Sequence, residues 1–229
     1  MEKVNGGRIV YTDRDGREVK DYLDHIGYLP QNFDVFPELT AYEVLQFFAN
    51  LKGYKITEAE ITHLLEILNL SPQRDMTVKT LSGGMKRRLG IAQALIGDPD
   101  VLLLDEPTAG LDPEERLNFK NVIRRIKGDR CVVLSTHIIT DIESLCDRIL
   151  VLCDGRITAF DSCGALADVA RGKVYAVENT ADLATPFHSM GPVTVDGKAY
   201  EKIISKAPLD APTLEPTVCL LYTSPSPRD

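Results

Sequence analysis

The chain has 229 residues, 44% of them hydrophobic, which is enough for one globular domain with a sizeable core and some additional structure. Its net charge of −8 does not favour a nucleic-acid-binding surface, and no apolar stretch approaches the roughly 20 residues needed to cross a bilayer. Five scattered cysteines show no metal-binding spacing and are typical of a reducing compartment.

The first predicted elements are two short strands. Residues 8–12 predict one strand, and Ile26–Leu29 predict a second that Pro30 ends. Gln31 follows the second strand directly. Taken alone, a polar residue in this position indicates only the start of a loop.

The stretch from about residue 33 to residue 97 has a helical pattern. Thr40 and Thr57 each precede a glutamate by three residues, which is the pattern of a capping box, and apolar residues then recur at helical spacing. Ser71-Pro72 predicts a third helix start, with the serine as its cap. We therefore expect a subdomain of three helices inserted between strands of a sheet, with an exposed, aromatic-rich stretch from Phe33 to Phe48.

A possible anion site follows this stretch. Ser82, Gly83 and Gly84 open an apolar-periodic helix, where a serine cap, free N–H groups and the positive end of the helix dipole favour a negative ligand. Lys86 and the two arginines after it are expected to add positive charge nearby. A serine and two glycines before a helix more often form an ordinary turn and cap.

Two adjacent carboxylates lie at the end of the next strand. Val101–Leu104 is a short apolar run, which predicts a strand buried on both faces of a parallel sheet. Asp105 and Glu106 follow at its carboxyl end, where open α/β sheets bind their ligands. Such a pair suits Mg²⁺ coordination and the activation of water.

The chain continues with alternating helix and strand patterns. Asp112-Pro113 is expected to begin a helix that Gly128 ends. Cys131–Ser135 predicts another buried strand, with His137 just past its carboxyl end. Such a histidine, in the company of Glu106, favours a catalytic role over a structural one.

The remaining residues carry no assigned chemistry. Residues 148–160 predict a β-hairpin around Asp154-Gly155, and residues 164–170 predict a helix. Strands are expected at residues 173–178 and at 192–205, the latter around an Asp-Gly turn. Residues 219–229 change abruptly to a serine- and proline-rich composition that resembles a translated sequencing adaptor, and we exclude them from fold reasoning.

Together these motifs resemble the ATP-binding subunits of ABC transporters over about residues 5–165. LSGGM at residues 81–85 is similar to the signature motif, although Met85 replaces the commonest glutamine. VLLLDEP at residues 101–107 is similar to the Walker B strand, and AGLD at 109–112 to the D-loop. YLPQ at residues 28–31 is similar to the Q-loop, and LSTHI at 134–138 to the switch-histidine segment.

The resemblance implies a P-loop NTPase-type α/β fold, with a parallel sheet flanked by helices. A helical subdomain at about residues 33–97 would be inserted in an ATP-binding domain spanning residues 1–160. Residues 161–218 would form a small α+β C-terminal extension, similar to that of some exporter-type subunits.

The resemblance also implies ATP and Mg²⁺ as cofactors. Asp105 would hold Mg²⁺, Gln31 would contact the metal and the attacking water, and Glu106 would polarise that water. His137 would contact the γ-phosphate.

In this family two ATP-binding subunits, identical or different, pair head to tail. Ser82, Gly83 and Gly84 would then bind the ATP held by the second subunit, and Asp112 would cross the interface. A separate transmembrane permease would hold the protein on the cytoplasmic face of the membrane, with residues 33–48 as its docking groove.

The family's phosphate-binding loop, GxxxxGK[ST], is not found in this sequence. Gly172-Lys173 and Gly197-Lys198 lack both the upstream glycine and the following hydroxyl residue. We therefore expect a fragment truncated before the Q-loop, inactive as written, whose missing first strand would lie beside the Walker B strand.

The sequence thus predicts an ATP-hydrolysing subunit that powers a transporter of the exporter type. One alternative is a soluble ABC-type ATPase acting on nucleic acid or ribosomes, which the acidic balance and the single cassette disfavour. The other is a non-hydrolytic partner supplying only its signature motif, which the presence of both Glu106 and His137 disfavours.

Overall fold

The computed structural model describes residues 6–7, 10–12, 15–33, 35–136, 145–153, 155–183 and 185–215. The chain divides into two compact units, Met1–His137 and Ile138–Asp229, which are treated separately below. His137 and residues 219–229 lie outside the described residues, and so the roles assigned to them stay predictions. The predicted strand at 8–12 is described only in part, where Thr12 forms an isolated bridge with Glu18.

The first unit is built on a parallel sheet of three strands in the order β1-β2-β3, namely Ile26–Leu29, Val101–Asp105 and Cys131–Ser135. Leu29 lies opposite Leu104, and Asp105 lies opposite Ser135, so the three strands end at one edge of the sheet. The predicted parallel α/β architecture is confirmed.

The middle strand is paired along both of its edges. Strand β1 lies on one side of β2 and β3 lies on the other. The expectation that a further strand lies beside the Walker B strand is therefore wrong, because no hydrogen-bonding edge of β2 remains. An additional strand of this sheet can pair only with the outer edge of β1 or of β3.

The two faces of the sheet differ in burial. Leu102 and Leu104 of β2 are buried, whereas Tyr28 and Val133, on the opposite face, are 44% and 51% exposed. The prediction that residues 131–135 form a buried strand is therefore wrong, and residues 101–104 are fully buried on one face and only partly buried on the other. The reason is that the described helices pack on the Leu102 face and leave the Val133 face open.

The described residues of the first unit also form four α-helices: α1 Ala41–Leu51, α2 Glu58–Ile67, α3 Gly83–Ala94 and α4 Pro113–Lys127. Both predicted capping boxes form. The Thr40 hydroxyl accepts the Glu43 N–H and the Glu43 carboxylate accepts the Thr40 N–H, and Thr57 does the same with Glu60.

The third predicted helix is only a 3₁₀ turn, Ser71–Gln73, and Leu70 rather than Ser71 occupies its cap position. The following residues are held elsewhere. The carbonyls of Arg74 and Met76 accept the first N–H groups of α1, which stops the turn from extending into a helix.

Helix α3 packs directly on β1 through two glycines. A Cβ atom at Gly27 would lie 2.1 Å from the carbonyl oxygen of Ala94, on the main chain of α3. A Cβ atom at Gly90 would instead meet the side chains of Leu29 and Phe33, at 2.6 Å and 3.0 Å. The first position therefore meets a group that cannot move aside easily.

Gly27→Ala is expected to lower the free energy of unfolding by about 3 kcal/mol, at the upper end for overpacked cores, because the methyl group would separate β1 from α3. Gly90→Ala is the matched comparison. Its two neighbours can change rotamer, and alanine gains about 1 kcal/mol in helix propensity, so its net effect should be small. Urea unfolding of both variants checks this, and equal losses would contradict it.

The second unit contains an antiparallel hairpin, β4 Arg148–Cys153 and β5 Arg156–Ser162, followed by a short helix, Cys163–Asp168. A three-stranded antiparallel sheet follows, with β6 Val174–Val177 and β7 Phe187–Val195 on either side of β8 Lys198–Ser205. The predicted hairpin, helix and strands are confirmed, although β7 begins at Phe187 rather than at Pro192. In the described part of the chain, no helix is long and apolar enough to cross a membrane.

Candidate functional site

Three of the predicted site residues meet at the carboxyl edge of the parallel sheet. Gln31 follows the end of β1 and has an exposed side chain. Asp105 is the last residue of β2, and Glu106 follows it. Because β1 and β2 are adjacent and parallel, the structure brings an amide and two carboxylates to one edge.

Ser135, the last residue of β3, holds both carboxylate-bearing residues. Its hydroxyl donates to Asp105 Oδ1 at 2.6 Å and accepts the Glu106 N–H at 3.0 Å. Its carbonyl lies 3.2 Å from the same N–H. Sequence reasoning missed this residue, although a hydroxyl at the end of a parallel strand was an available signal.

The main chain at Glu106 is left-handed, with φ at 43°. This conformation is uncommon for a residue other than glycine and costs of order 1 kcal/mol or more. Ser135 supports it from one side, through the hydrogen bonds to the Glu106 N–H. This residue follows directly on Asp105, where β2 ends.

Arg87, in the second turn of α3, supports the same turn from the other side. Its guanidinium donates to main-chain carbonyls after β1 and at the end of β2, namely those of Pro30, Gln31, Asp105, Glu106 and Pro107. Burial lowers the pKa of Arg87, and the charges of Asp105 and Glu106 act in the opposite direction.

Arg88 faces a different part of the unit. It donates to the carbonyls of Leu68 and Asn69 at the end of α2, and it lies 3.8 Å from the Glu115 carboxylate. Both guanidinium groups donate to main-chain carbonyls, and Arg88 also approaches the Glu115 carboxylate, which lies beside Gly84 in the first turn of α3. The expectation that Arg87 and Arg88 add charge near the N-terminus of α3 stays a prediction.

The N-terminus of α3 has one closed side and one open side. Ser82 is the N-cap, and its hydroxyl accepts the Met85 N–H at 3.2 Å. A Cβ atom at Gly83 would meet nothing within 4 Å, whereas one at Gly84 would lie 2.2 Å from the Glu115 carboxylate. The end of the Glu115 side chain would have to move to admit a side chain at Gly84, whereas Gly83 leaves the helix end accessible.

Asp112 caps the next helix. Its Oδ1 accepts the Glu115 N–H at 2.8 Å, at the start of α4. This bond accounts for an aspartate here within a single chain, and the predicted role of Asp112 across a dimer interface stays a prediction. His137, the remaining predicted site residue, lies outside the described residues.

An aromatic cluster adjoins the segment that carries Gln31. Phe33 stacks on Phe48 with ring centroids 5.9 Å apart, and Phe36 meets Phe47 edge to face at 5.3 Å. Phe36 is 58% exposed, whereas the other three rings are half-buried. Only part of the predicted aromatic surface is therefore open to solvent.

Residues 1–109 match the family model described as ABC transporter. These residues therefore belong to the ABC transporter family. The matched residues include Gln31 after β1, the segment 81–85 that resembles the signature motif, and the carboxylates Asp105 and Glu106. The family assignment agrees with the parallel sheet flanked by helices.

Relatives of this ABC transporter domain support the same assignment. The chain is 34% identical, over 91% of its length, to the mouse ABC-type organic anion transporter ABCA8B. It is 41% identical over 61% of its length to the mouse phospholipid-transporting ATPase ABCA3. It is 37% identical over 69% of its length to the uncharacterized ABC transporter ATP-binding protein YhcH of Bacillus subtilis (strain 168).

The chain spans only part of each of these relatives. It covers 13% of the organic anion transporter, 8% of the phospholipid-transporting ATPase and 52% of the bacterial ATP-binding protein. The similarity therefore concerns only a part of each of these relatives.

Proposed function

We propose that this chain is a fragment of the ATP-binding and ATP-hydrolysing subunit of an ABC transporter of the exporter type, and that it is inactive without the phosphate-binding loop. The observation that carries the proposal is the convergence of Gln31, Asp105 and Glu106 at the carboxyl edge of paired parallel strands. Glu106 orients and polarises the attacking water, and Gln31 contacts the same water. His137 is proposed to contact the γ-phosphate.

The residues at this edge fit a bound Mg²⁺. Magnesium prefers oxygen ligands, and Asp105 offers a carboxylate whose orientation is held by the Ser135 hydroxyl, while Gln31 offers an exposed amide. The ion would neutralise negative charge on the ATP phosphates. Catalysis of this kind depends mainly on positioning and charge stabilisation.

The second proposed contact with ATP is the N-terminus of α3. Gly83 leaves this helix end open, and the N–H groups of the first turn have no partner within the helix. We propose that Ser82, Gly83 and Gly84 bind the ATP of a second, identical or different ATP-binding subunit. Asp112 then approaches the shared interface.

A transmembrane permease is the proposed partner, with this chain on the cytoplasmic face of the membrane. The aromatic cluster of Phe33, Phe36, Phe47 and Phe48 is proposed to take part in docking. It adjoins the Gln31 segment, so a change at the nucleotide could alter the docking surface.

The test is ATP hydrolysis by the full-length protein with and without Mg²⁺. Turnover should stop when EDTA removes the metal, and Asp105→Asn should raise the Mg²⁺ concentration needed for half-maximal turnover by about tenfold, as expected for the loss of one charged ligand. Asp75→Asn is the matched control, because the Asp75 side chain is 89% exposed and its ion-pair partner is Arg74 rather than a residue of the proposed site. Turnover that persists in EDTA would contradict the proposal.

A further inference from the structure

Arg87 is an unusual side chain because it is 9% exposed and its hydrogen bonds go to main-chain carbonyls. Arginine is rarely buried to this extent unless its donors are satisfied. The carbonyls that it binds belong to two segments far apart in sequence. One follows β1 and the other surrounds the end of β2.

These two segments carry the residues proposed for catalysis. Nη1 donates to the Pro30 and Gln31 carbonyls at 3.1 Å and 2.7 Å, and Nη2 donates to the Asp105 carbonyl at 2.8 Å and to that of Glu106. One planar group therefore sets the separation between the main chain at Gln31 and the main chain at Glu106.

We propose that Arg87 is a positioning residue for ATP hydrolysis, which holds the Gln31 segment and the Asp105-Glu106 segment in register so that both act on one water. This inference rests on the proposed function. Arg87 acts through main-chain carbonyls, so its effect should fall on kcat rather than on the affinity for ATP.

Lysine cannot replace arginine in this role. A guanidinium presents five N–H donors in a fixed plane, which allows it to join carbonyls on opposite sides, whereas an ammonium donates from a single point. A second hydrogen bond joins α3 to β1, because the Gln93 side-chain amide donates to the Tyr28 carbonyl at 2.7 Å. This second contact should keep β1 attached to α3 when Arg87 is changed.

The experiment compares Arg87→Lys and Arg87→Ala with the parent, all in the full-length protein. We expect kcat to fall about 10- to 100-fold, the scale of a misplacement near 1 Å, while KM for ATP changes less than about threefold. Added guanidinium chloride at non-denaturing concentration should restore part of the kcat of Arg87→Ala and none of that of Arg87→Lys.

A second readout does not depend on turnover. Hydrogen exchange of residues 29–33 and 105–109 should become faster in Arg87→Lys, because both segments lose their common support. Arg130→Gln is the matched control. Its guanidinium also binds a main-chain carbonyl, that of Ile126, but it pairs with Asp98 at the opposite edge of the sheet.

The outcomes separate this inference from the proposed function. A parent with Glu106-dependent turnover and an Arg87→Lys variant with unchanged kcat and exchange would overturn the inference alone. A parent without turnover would overturn the proposed function, and the inference with it. If Arg87→Ala does not fold, the kcat and hydrogen exchange of Arg87→Lys alone test the inference. Changes of the same size in Arg130→Gln would also overturn it.

Discussion

Glu106→Gln is expected to reduce ATP turnover by the full-length protein by about 10²- to 10⁴-fold, the contribution typical of a general base. Glutamine has nearly the same shape but no negative charge, so it cannot polarise the attacking water. The left-handed main chain at Glu106 and its bonds to Ser135 do not depend on the side-chain charge. ATP affinity should therefore be unchanged.

The same variant should accumulate as an ATP-bound dimer, because the interface forms but hydrolysis no longer opens it. Size-exclusion chromatography with and without ATP measures this, beside a steady-state ATPase assay. Glu114→Gln is the control, since Glu114 is an exposed glutamate in the first turn of α4. Full turnover in Glu106→Gln would remove Glu106 from the proposed mechanism.

Ser82→Arg is expected to abolish ATP-driven dimerisation while sparing the binding of ATP by the single subunit. The change removes the hydroxyl that accepts the Met85 N–H, and it places a bulky cation across the open end of α3. The loss of the cap alone costs about 1 kcal/mol, so the larger effect must come from obstruction of the helix end.

Two further variants separate these causes. Ser82→Ala removes the cap without obstruction and should weaken dimerisation only in part. Ser162→Arg is the matched control, because the Ser162 hydroxyl caps another helix by accepting the Ala165 N–H and has no proposed ligand. Equal dimer formation by Ser82→Arg and its parent, measured by analytical ultracentrifugation with ATP, would refute the trans contact.

Local features of the fold could be predicted from the sequence because their causes are close together along the chain. In each capping box the threonine and glutamate are three residues apart, and both boxes form as expected. The apolar runs of β1 and β2 predicted strands whose parallel pairing the structure confirms. The prediction failed at Ser71, where the next residues bind the start of α1 instead of extending a helix.

The chemical residue types at the candidate site were also evident from the sequence. Asp105 and Glu106 stood out as carboxylates at the carboxyl end of a predicted parallel strand, whereas Gln31 was singled out only by the resemblance of YLPQ to the Q-loop. Ser82 was recognisable as a cap because it precedes an apolar-periodic helix.

Only the tertiary structure decided how these residues are supported. Arg87 reaches carbonyls 57 and 18 positions away, and the Ser135 hydroxyl meets Asp105 across 30 positions. Arg87 lies in a run of three basic residues, and nothing near it in the sequence indicates that it binds distant carbonyls. Its charge was therefore expected at the N-terminus of the helix. The order of the strands, the open Val133 face and the close fit of Gly27 depend in the same way on segments that meet only when the chain folds.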